Sequence, residues 1–421
     1  MMIVEQRPKI PGLNKLDTMA DFMAKKPLGL ESRLCVRARY RQLECDKCTT
    51  VCTSGAISFS QRSTDPLEVD FTSCNGCGAC VTACPTGVFD YTAGLTDFDL
   101  LKKAALSIKA SPESQVVFAC HRVDAEVRAK AIETVCLARL HETILVGVAK
   151  FEAEQVRLVS RACADCDFKE HAFIIERTAA AARLATVLGF KTAFKLVDEA
   201  EVAGLAGGPA LIEKEQPTRR ELFEGVVGFF KKTTVAWVDE KVAPLTRIGR
   251  QTREDKGFIY LVPAKRQMLL GLVKEIKVRG KATLPNLPIR DAVFDYDKCN
   301  FCGDCALFCP TTAVALEQHR DGDHLVFYAG YCVDCGLCEF ACRPAALKLT
   351  ETVKLAEFCR GQGRALKSAA LKFECVLCGA QFAGSKPVAV CPTCYELQKL
   401  QGHSDEDIEM LEPTTIDGVA K

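Results

Sequence analysis

Cysteine constrains what this chain can fold into more than any other residue. Among its 421 residues are 25 cysteines. They fall into six sets of four: Cys35, Cys45, Cys48 and Cys52; Cys74, Cys77, Cys80 and Cys84; Cys120, Cys136, Cys163 and Cys166; Cys299, Cys302, Cys305 and Cys309; Cys332, Cys335, Cys338 and Cys342; and Cys375, Cys378, Cys391 and Cys394. Cys359 is left over. An odd total fits disulfide pairing poorly. The opening "MMIVEQRPKIPGLNK" has neither an apolar core nor twin arginines. A cytoplasmic location is therefore expected, and clustered thiols in a reducing compartment hold metal more often than they form disulfides.

Spacing narrows the metal. The stretch "DFTSCNGCGACVTACPTGVF" reads C-x2-C-x2-C-x3-C-P. Three cysteines on so tight a loop can wrap three corners of an iron–sulfur cubane. The fourth opens away from that loop and reaches a neighbouring cluster, so such runs come in pairs that exchange fourth ligands. Cys299–Cys309 and Cys332–Cys342 make one pair. Cluster one is expected on Cys299, Cys302, Cys305 and Cys342, and cluster two on Cys332, Cys335, Cys338 and Cys309. A turn at Asp321–Gly322 would join two strands between them. Zinc prefers two separated cysteine pairs, which these adjacent runs do not offer. The stretch Ala292–Thr350 resembles the bacterial two-cluster ferredoxin, with Arg343–Pro344 after Cys342 in place of a direct proline.

The N-terminal pair departs from the pattern. Cys45, Cys48 and Cys52 fill the second, third and fourth places, but the first holds Gln42. Cys35 is the natural substitute. Cluster three is expected on Cys35, Cys45, Cys48 and Cys84, and cluster four on Cys74, Cys77, Cys80 and Cys52. The alternative is a three-cysteine site with an open iron corner. Arg33, Arg37, Arg39 and Arg41 surround this loop. They are either a solvated basic face, a field that raises a cluster potential, or a guide for an acidic partner.

Between the pairs the periodicity changes. "SQVVFAC", "AIETVCL", "EQVRLVS" and "AFKLVDE" read as strands, alternating with helical "FDLLKKAALSIKA", "HETILVGVAKF" and "KEHAFIIERTAAAARLATVLG". That alternation predicts an α/β layer with a parallel sheet. Cys120, Cys136, Cys163 and Cys166 fall at or after strand ends, the edge where such sheets place ligands. The arrangement resembles the iron–sulfur (delta) subunit of the methyl-viologen-reducing hydrogenases, which links hydrogenase to heterodisulfide reductase. By that resemblance these four thiols hold a [2Fe–2S] cluster. Structural zinc, or an ordinary buried Cys136, are the alternatives. His121 and His141 lie near but are left out of the ligand set.

The tail "KFECVLCGAQFAGSKPVAVCPTCYEL" offers two knuckles, Cys375/Cys378 and Cys391/Cys394, for one tetrahedral ion. It resembles a zinc ribbon and equally a rubredoxin-like domain, so zinc or a single iron is expected.

The expected fold is α+β and multi-domain: an N-terminal extension (1–30), a ferredoxin-like module (31–93), the α/β parallel-sheet domain (94–203), a helical linker (204–290), a second ferredoxin-like module (291–352), and a C-terminal region with the zinc-ribbon or rubredoxin-like knuckle (353–421). The linker carries a capping box at Thr218–Glu221 ahead of "ELFEGVVGFFKK", and a second helix at "PAKRQMLLGLVKEI". A net charge of +1 gives no bulk attraction to nucleic acid, and no apolar run is long enough to span a membrane. No Walker loop and no Ser–His–Asp constellation is present.

Four cubanes, a middle centre and a tail ion describe a wire. An electron-transfer subunit between partner oxidoreductases is the leading function. The whole chain resembles multi-domain 4Fe-4S proteins of bacteria. That resemblance implies a molybdenum or tungsten oxidoreductase such as formate dehydrogenase as partner. Hydrogenase or heterodisulfide-reductase-like subunits are the other partner class. Two further functions stand beside it: a reductase acting on a small disulfide or sulfur substrate, and a metalloenzyme maturation factor.

Overall fold

A computed structural model describes residues 28–60, 66–91, 96–160, 163, 166, 168–203, 252–255, 258–319, 322–369, 371–379, 381–384, 388–412 and 414–415. The two cysteine-rich modules share one plan. In the first, Leu28–Leu30 pairs antiparallel with Phe89–Tyr91, and Ile57–Phe59 with Leu67–Val69. In the second, Asp291–Phe294 pairs with Leu347–Thr350, and Val314–His319 with Gly322–Tyr328. The expected turn lies between the last two strands, although Asp321 is outside the described residues.

Short helices Lys47–Thr50, Ala79–Ala83, Asp304–Phe308 and Leu337–Ala341 each carry the third cysteine of a run. Three of them start from a glycine in the left-handed region, at φ +80° for Gly78 and Gly303 and +76° for Gly336. Only a residue without a Cβ turns there at low strain. The helix Lys47–Thr50 instead follows Asp46, so the tight three-cysteine wrap is missing where Gln42 replaces the first thiol.

The middle segment is the parallel sheet that its alternation predicts. Its strands lie in the order Ile132–Thr134, Gln115–Cys120, Gln155–Val159, Ala193–Val197, all parallel. Val116, Phe118, Val156 and Leu158 are buried on one face, and Ala119, Val159 and Val197 on the other, as expected for a sheet covered on both faces. Helix Asp97–Ala110 starts at a Thr96/Asp99 capping box and buries Leu100, Leu101, Ala104, Ala105 and Ile108 along one stripe.

Residues 204–251, 256 and 257 lie outside the described residues, and with them Thr218–Glu221 and "ELFEGVVGFFKK". The rest of the stretch expected as a helical linker differs from that expectation. Thr252–Asp255 and Phe258–Leu261 form a hairpin, and Ala264–Val273 is the expected second helix. That helix is core: Leu269, Leu272 and Val273 are buried. It packs on helix Glu142–Lys150 so closely that a Cβ on Gly147 would stand 3.2 Å from Leu272 Cδ1, and helix Asp97–Ala110 closes on the same glycine, with Leu101 Cδ2 at 2.6 Å. One apolar core therefore runs from the parallel sheet through this helix into the second module. The first module and the tail have smaller cores of their own. Cys359, buried on helix Leu355–Arg360, belongs to the large core rather than to any thiol set.

Among the described residues, no helix is long and apolar enough to cross a membrane.

Candidate metal centres

The fold draws the dispersed cysteines into compact groups. Burial pushes the Cys35 thiol up to about 11, with the Cys84 and Cys45 sulfurs adding to the rise. Cys48 is pushed up to about 12, by burial and then by Cys84, Cys35 and Cys45. Those four thiols are therefore neighbours, and Cys35 is buried among them. Cys77, also at about 12, is raised by burial, by Glu170 and by Cys52 and Cys74; Cys80 is raised well above its ordinary value by burial, then by Cys77, Cys74 and Cys52.

The second module repeats the arrangement. Cys302 is pushed up to about 11 by burial, by Asp304, and by Cys299 and Cys342, and Cys305 feels the same pair beside its own burial. Cys332 rises to about 12 by burial and by Cys309. Cys338 answers to burial, then Cys309, Cys332 and Cys335.

These sites fit anchored thiolate–iron clusters. Four buried sulfurs that oppose one another's ionisation need a polycation among them. Backbone amides already point at the fourth-position sulfurs: Val88 N–H donates to Cys84 Sγ at 3.5 Å, Val314 to Cys309 Sγ at 3.4 Å, and Ala346 to Cys342 Sγ at 3.2 Å. The hydroxyls of Ser54, Thr86 and Thr311 stand 3.6–3.8 Å from Cys52, Cys84 and Cys309.

The middle four also converge. Cys120, Cys136, Cys163 and Cys166 line one cavity with His121, Arg122, Val135, Phe168, Glu170 and Ile174. It opens where the strands Gln115–Cys120, Ile132–Thr134 and Gln155–Val159 end, outside the carboxyl edge of the sheet. His121 Nδ1 donates to the Val135 carbonyl at 2.6 Å. His141 is fully buried elsewhere, 2.9 Å from Asp97 Oδ2. Glu170 is the polar neighbour that the sequence reading missed. It accepts from Thr53 and from Cys77 Sγ at 3.7 Å, and burial raises its carboxyl to about 7. A lone carboxylate at the N-cap of the helix His171–Val187 carries no motif, so nothing in the sequence marked it.

The tail set is tighter. The sulfurs of Cys375, Cys378, Cys391 and Cys394 all lie within 4.8 Å of one another, the one such group among the described residues. Cys378 and Cys391 are 3.7 Å apart. A tetrahedral ion with sulfur ligands at about 2.3 Å requires sulfur separations of about 3.8 Å. Burial opposes ionisation of Cys375, but the amides of Cys391, Leu377 and Cys378 hold its thiol down at about 6. The other sets are spread more widely, as a multi-iron core demands.

Spatial order differs from sequence order. The two modules touch each other directly. Arg39 is buried, donates to the carbonyls of Ile259 and Leu307, and lies 4.7 Å over the Tyr260 ring. Tyr40 packs edge-on against Phe308 and Phe340, at 5.0 and 5.2 Å. Lys47 pairs with Asp334 at 3.3 Å. So the four arginines are not one basic face: Arg33 and Arg41 are exposed, Arg37 donates to the Cys45 carbonyl at 2.7 Å, and Arg39 joins the modules. At the far end of the first module, Cys136 is raised by burial and then by Cys77. The thiol groups thus follow one another from the Cys299 group to the Cys332 group, the Cys35 group, the Cys74 group and the middle cavity.

Comparison with known proteins bears on the two cysteine-rich modules. The 4Fe-4S dicluster domain model matches residues 43–88, and a second 4Fe-4S dicluster domain model matches residues 291–343. The first match begins after Cys35. The pyruvate synthase subunit PorD of Methanothermobacter marburgensis is 38% identical over 55 residues, 13% of this chain. The chain spans 59% of the length of that curated relative. This chain carries two 4Fe-4S dicluster domains of ferredoxin type.

Proposed function

We propose that the chain is the electron-transfer subunit of an oxidoreductase complex, passing single electrons along a line of five centres. The carrying observation is the direct contact of the two modules at Arg39, Tyr40 and Lys47, together with the Cys77–Cys136 approach at the other end. Cluster one takes Cys299, Cys302, Cys305 and Cys342. Cluster two takes Cys332, Cys335, Cys338 and Cys309, cluster three Cys35, Cys45, Cys48 and Cys84, and cluster four Cys74, Cys77, Cys80 and Cys52. The mutual influence of these sulfurs supports each assignment, including Cys35 as a fourth ligand in place of an open iron corner. Bound there, a cubane supplies reversible one-electron capacity.

Cys120, Cys136, Cys163 and Cys166 hold the terminal centre, a [2Fe–2S] cluster in this reading, on a domain like the delta subunit of methyl-viologen-reducing hydrogenase. Cys375, Cys378, Cys391 and Cys394 hold zinc or a single iron. The tail has a small apolar core of its own, separate from those of the modules, which favours a structural role. The partners are redox proteins at the two ends. They are molybdenum or tungsten enzymes, hydrogenase or heterodisulfide-reductase-like subunits, or a 2-oxoacid enzyme of the kind that PorD belongs to by name. The cytoplasm is the proposed compartment.

Anaerobic purification with iron and sulfide analysis tests the reading. Four cubanes demand about sixteen iron atoms, with labile sulfide to match. Colourless protein without sulfide refutes it. Co-purification from the native cell then names the partner.

A further inference from the structure

Lys265 and Arg266 stand side by side in the first turn of helix Ala264–Val273, outside both dicluster domains. Cations there oppose the positive end of the helix dipole. Burial opposes them too, and both are nearly inaccessible, at 8% and 2%. Local structure therefore gives no reason for the pair.

The reason lies in what they face. Lys265 Nζ donates to the carbonyls of Val81, Thr82 and Cys84, at 2.9, 2.9 and 2.7 Å. These cap the helix Ala79–Ala83, and the last belongs to a ligand of cluster three. The Cys84 sulfur is among the charges that act on Lys265. Arg266 turns the other way. Its guanidinium lies 5.7 Å from the Phe358 ring centre and donates to the Pro288 carbonyl. The Cys332 sulfur of cluster two and Asp334 act on it. Asp334 is itself held by Arg290 at 3.2 Å and Lys47 at 3.3 Å. One buried carboxylate, Glu142, faces both cations. Asp97 also faces Lys265, and Asp334 faces Arg266, so each cation is partly offset where it stands beside its own thiol group.

We propose that Lys265 and Arg266 form a cationic bridge that raises the reduction potentials of the two inner clusters, Lys265 acting on cluster three and Arg266 on cluster two. One-electron reduction adds a negative charge to a thiolate cluster, and a fixed cation in a buried site favours that form. Glu142 partly offsets both cations, so one residue trims two potentials in different modules. The bridge makes 264–273 a positioning helix for the step between modules.

This inference rests on the cluster reading above. Iron and sulfide content of each sample separates a failure of that reading from a failure of this one. The experiment is a redox titration of the full chain followed by electron paramagnetic resonance, with Cys84→Ser and Cys332→Ser assigning the two signals. Lys265→Met should lower the reduced-to-oxidised ratio of cluster three about tenfold at fixed potential, equivalent to about 59 mV for one electron. Arg266→Met should do the same for cluster two, and Lys265→Arg should restore the native ratio. Glu142→Gln should raise both ratios. If either cation variant loses its clusters, Glu142→Gln decides: a rise in both signals supports the bridge, and no change or a fall overturns it. Native iron content with ratios within twofold of wild type in all variants also overturns it.

Discussion

Replacing Arg39 with methionine should loosen the junction that the first module makes with the hairpin strand Phe258–Leu261 and, through Leu307, with the second module. Its guanidinium donates to the Ile259 carbonyl and, at 3.4 Å, to that of Leu307, and it stacks 4.7 Å above Tyr260. The first bond, from a charged donor, is worth about 1.5–3 kcal/mol, and the long second bond about 0.5 kcal/mol. Stacking adds about 0.5–1 kcal/mol. Desolvation of the buried cation offsets part of this. A net loss of about 3 kcal/mol follows, or about a hundredfold if the junction opens before the clusters are lost. The assay is the rate at which visible iron–sulfur absorption bleaches in anaerobic guanidinium. Lys47→Met is the control. Its pair with Asp334 is partly exposed and worth about 0.2–1 kcal/mol, so its rate should rise less than about sixfold. If Arg39→Met bleaches no faster than Lys47→Met, the junction does not depend on Arg39.

Cys35→Ser should remove one cubane signal or convert it to a three-iron form; an unchanged spectrum would mean that Cys35 is not a ligand. Cys378→Ser should release a single metal ion from the tail and leave the ferredoxin-type signals intact, with elemental analysis deciding between zinc and iron. Asp97→Asn should speed heat inactivation at pH 7, because it strips the partner from buried Arg139 and His141, a change worth about 3–5 kcal/mol. Burial works against the Asp97 carboxylate, but His141 and Arg139 hold it at about 2, below its ordinary 3.8. A depressed acid stabilises fully above its unfolded value and loses that contribution as pH falls through its folded one. The gap between wild type and Asp97→Asn should therefore be constant above about pH 4 and close only below it.

Much of the candidate site was legible because cysteine spacing is a strong local signal. C-x2-C-x2-C-x3-C specifies a loop, a left-handed turn and a short helix, all within twelve residues, and Gly78, Gly303 and Gly336 adopt that turn. Strand and helix periodicity marked the parallel sheet for the same reason: each element advertises its own buried stripe. Cys35 was harder to place, since it stands ten and thirteen residues before Cys45 and Cys48 across a departed motif, and forty-nine before Cys84. Glu170, Lys265 and Arg266 were not legible at all. Glu170 and Lys265 act on residues 93 and 181 positions away, Arg266 acts on Cys332 across 66, and no spacing rule links them.

The sequence by itself determined which side chains could take metal, in what kinds of loop, and that a covered parallel sheet would lie between the two modules along the chain. Tertiary structure alone decided the order of the thiol groups. Buried contacts made by Arg39, Tyr40, Lys265 and Arg266 set the second module against the first and leave the middle cavity at one end of the line. Spacing rules reach a few turns of chain, whereas the position of one module on another follows from long-range packing and from where buried charges find their partners.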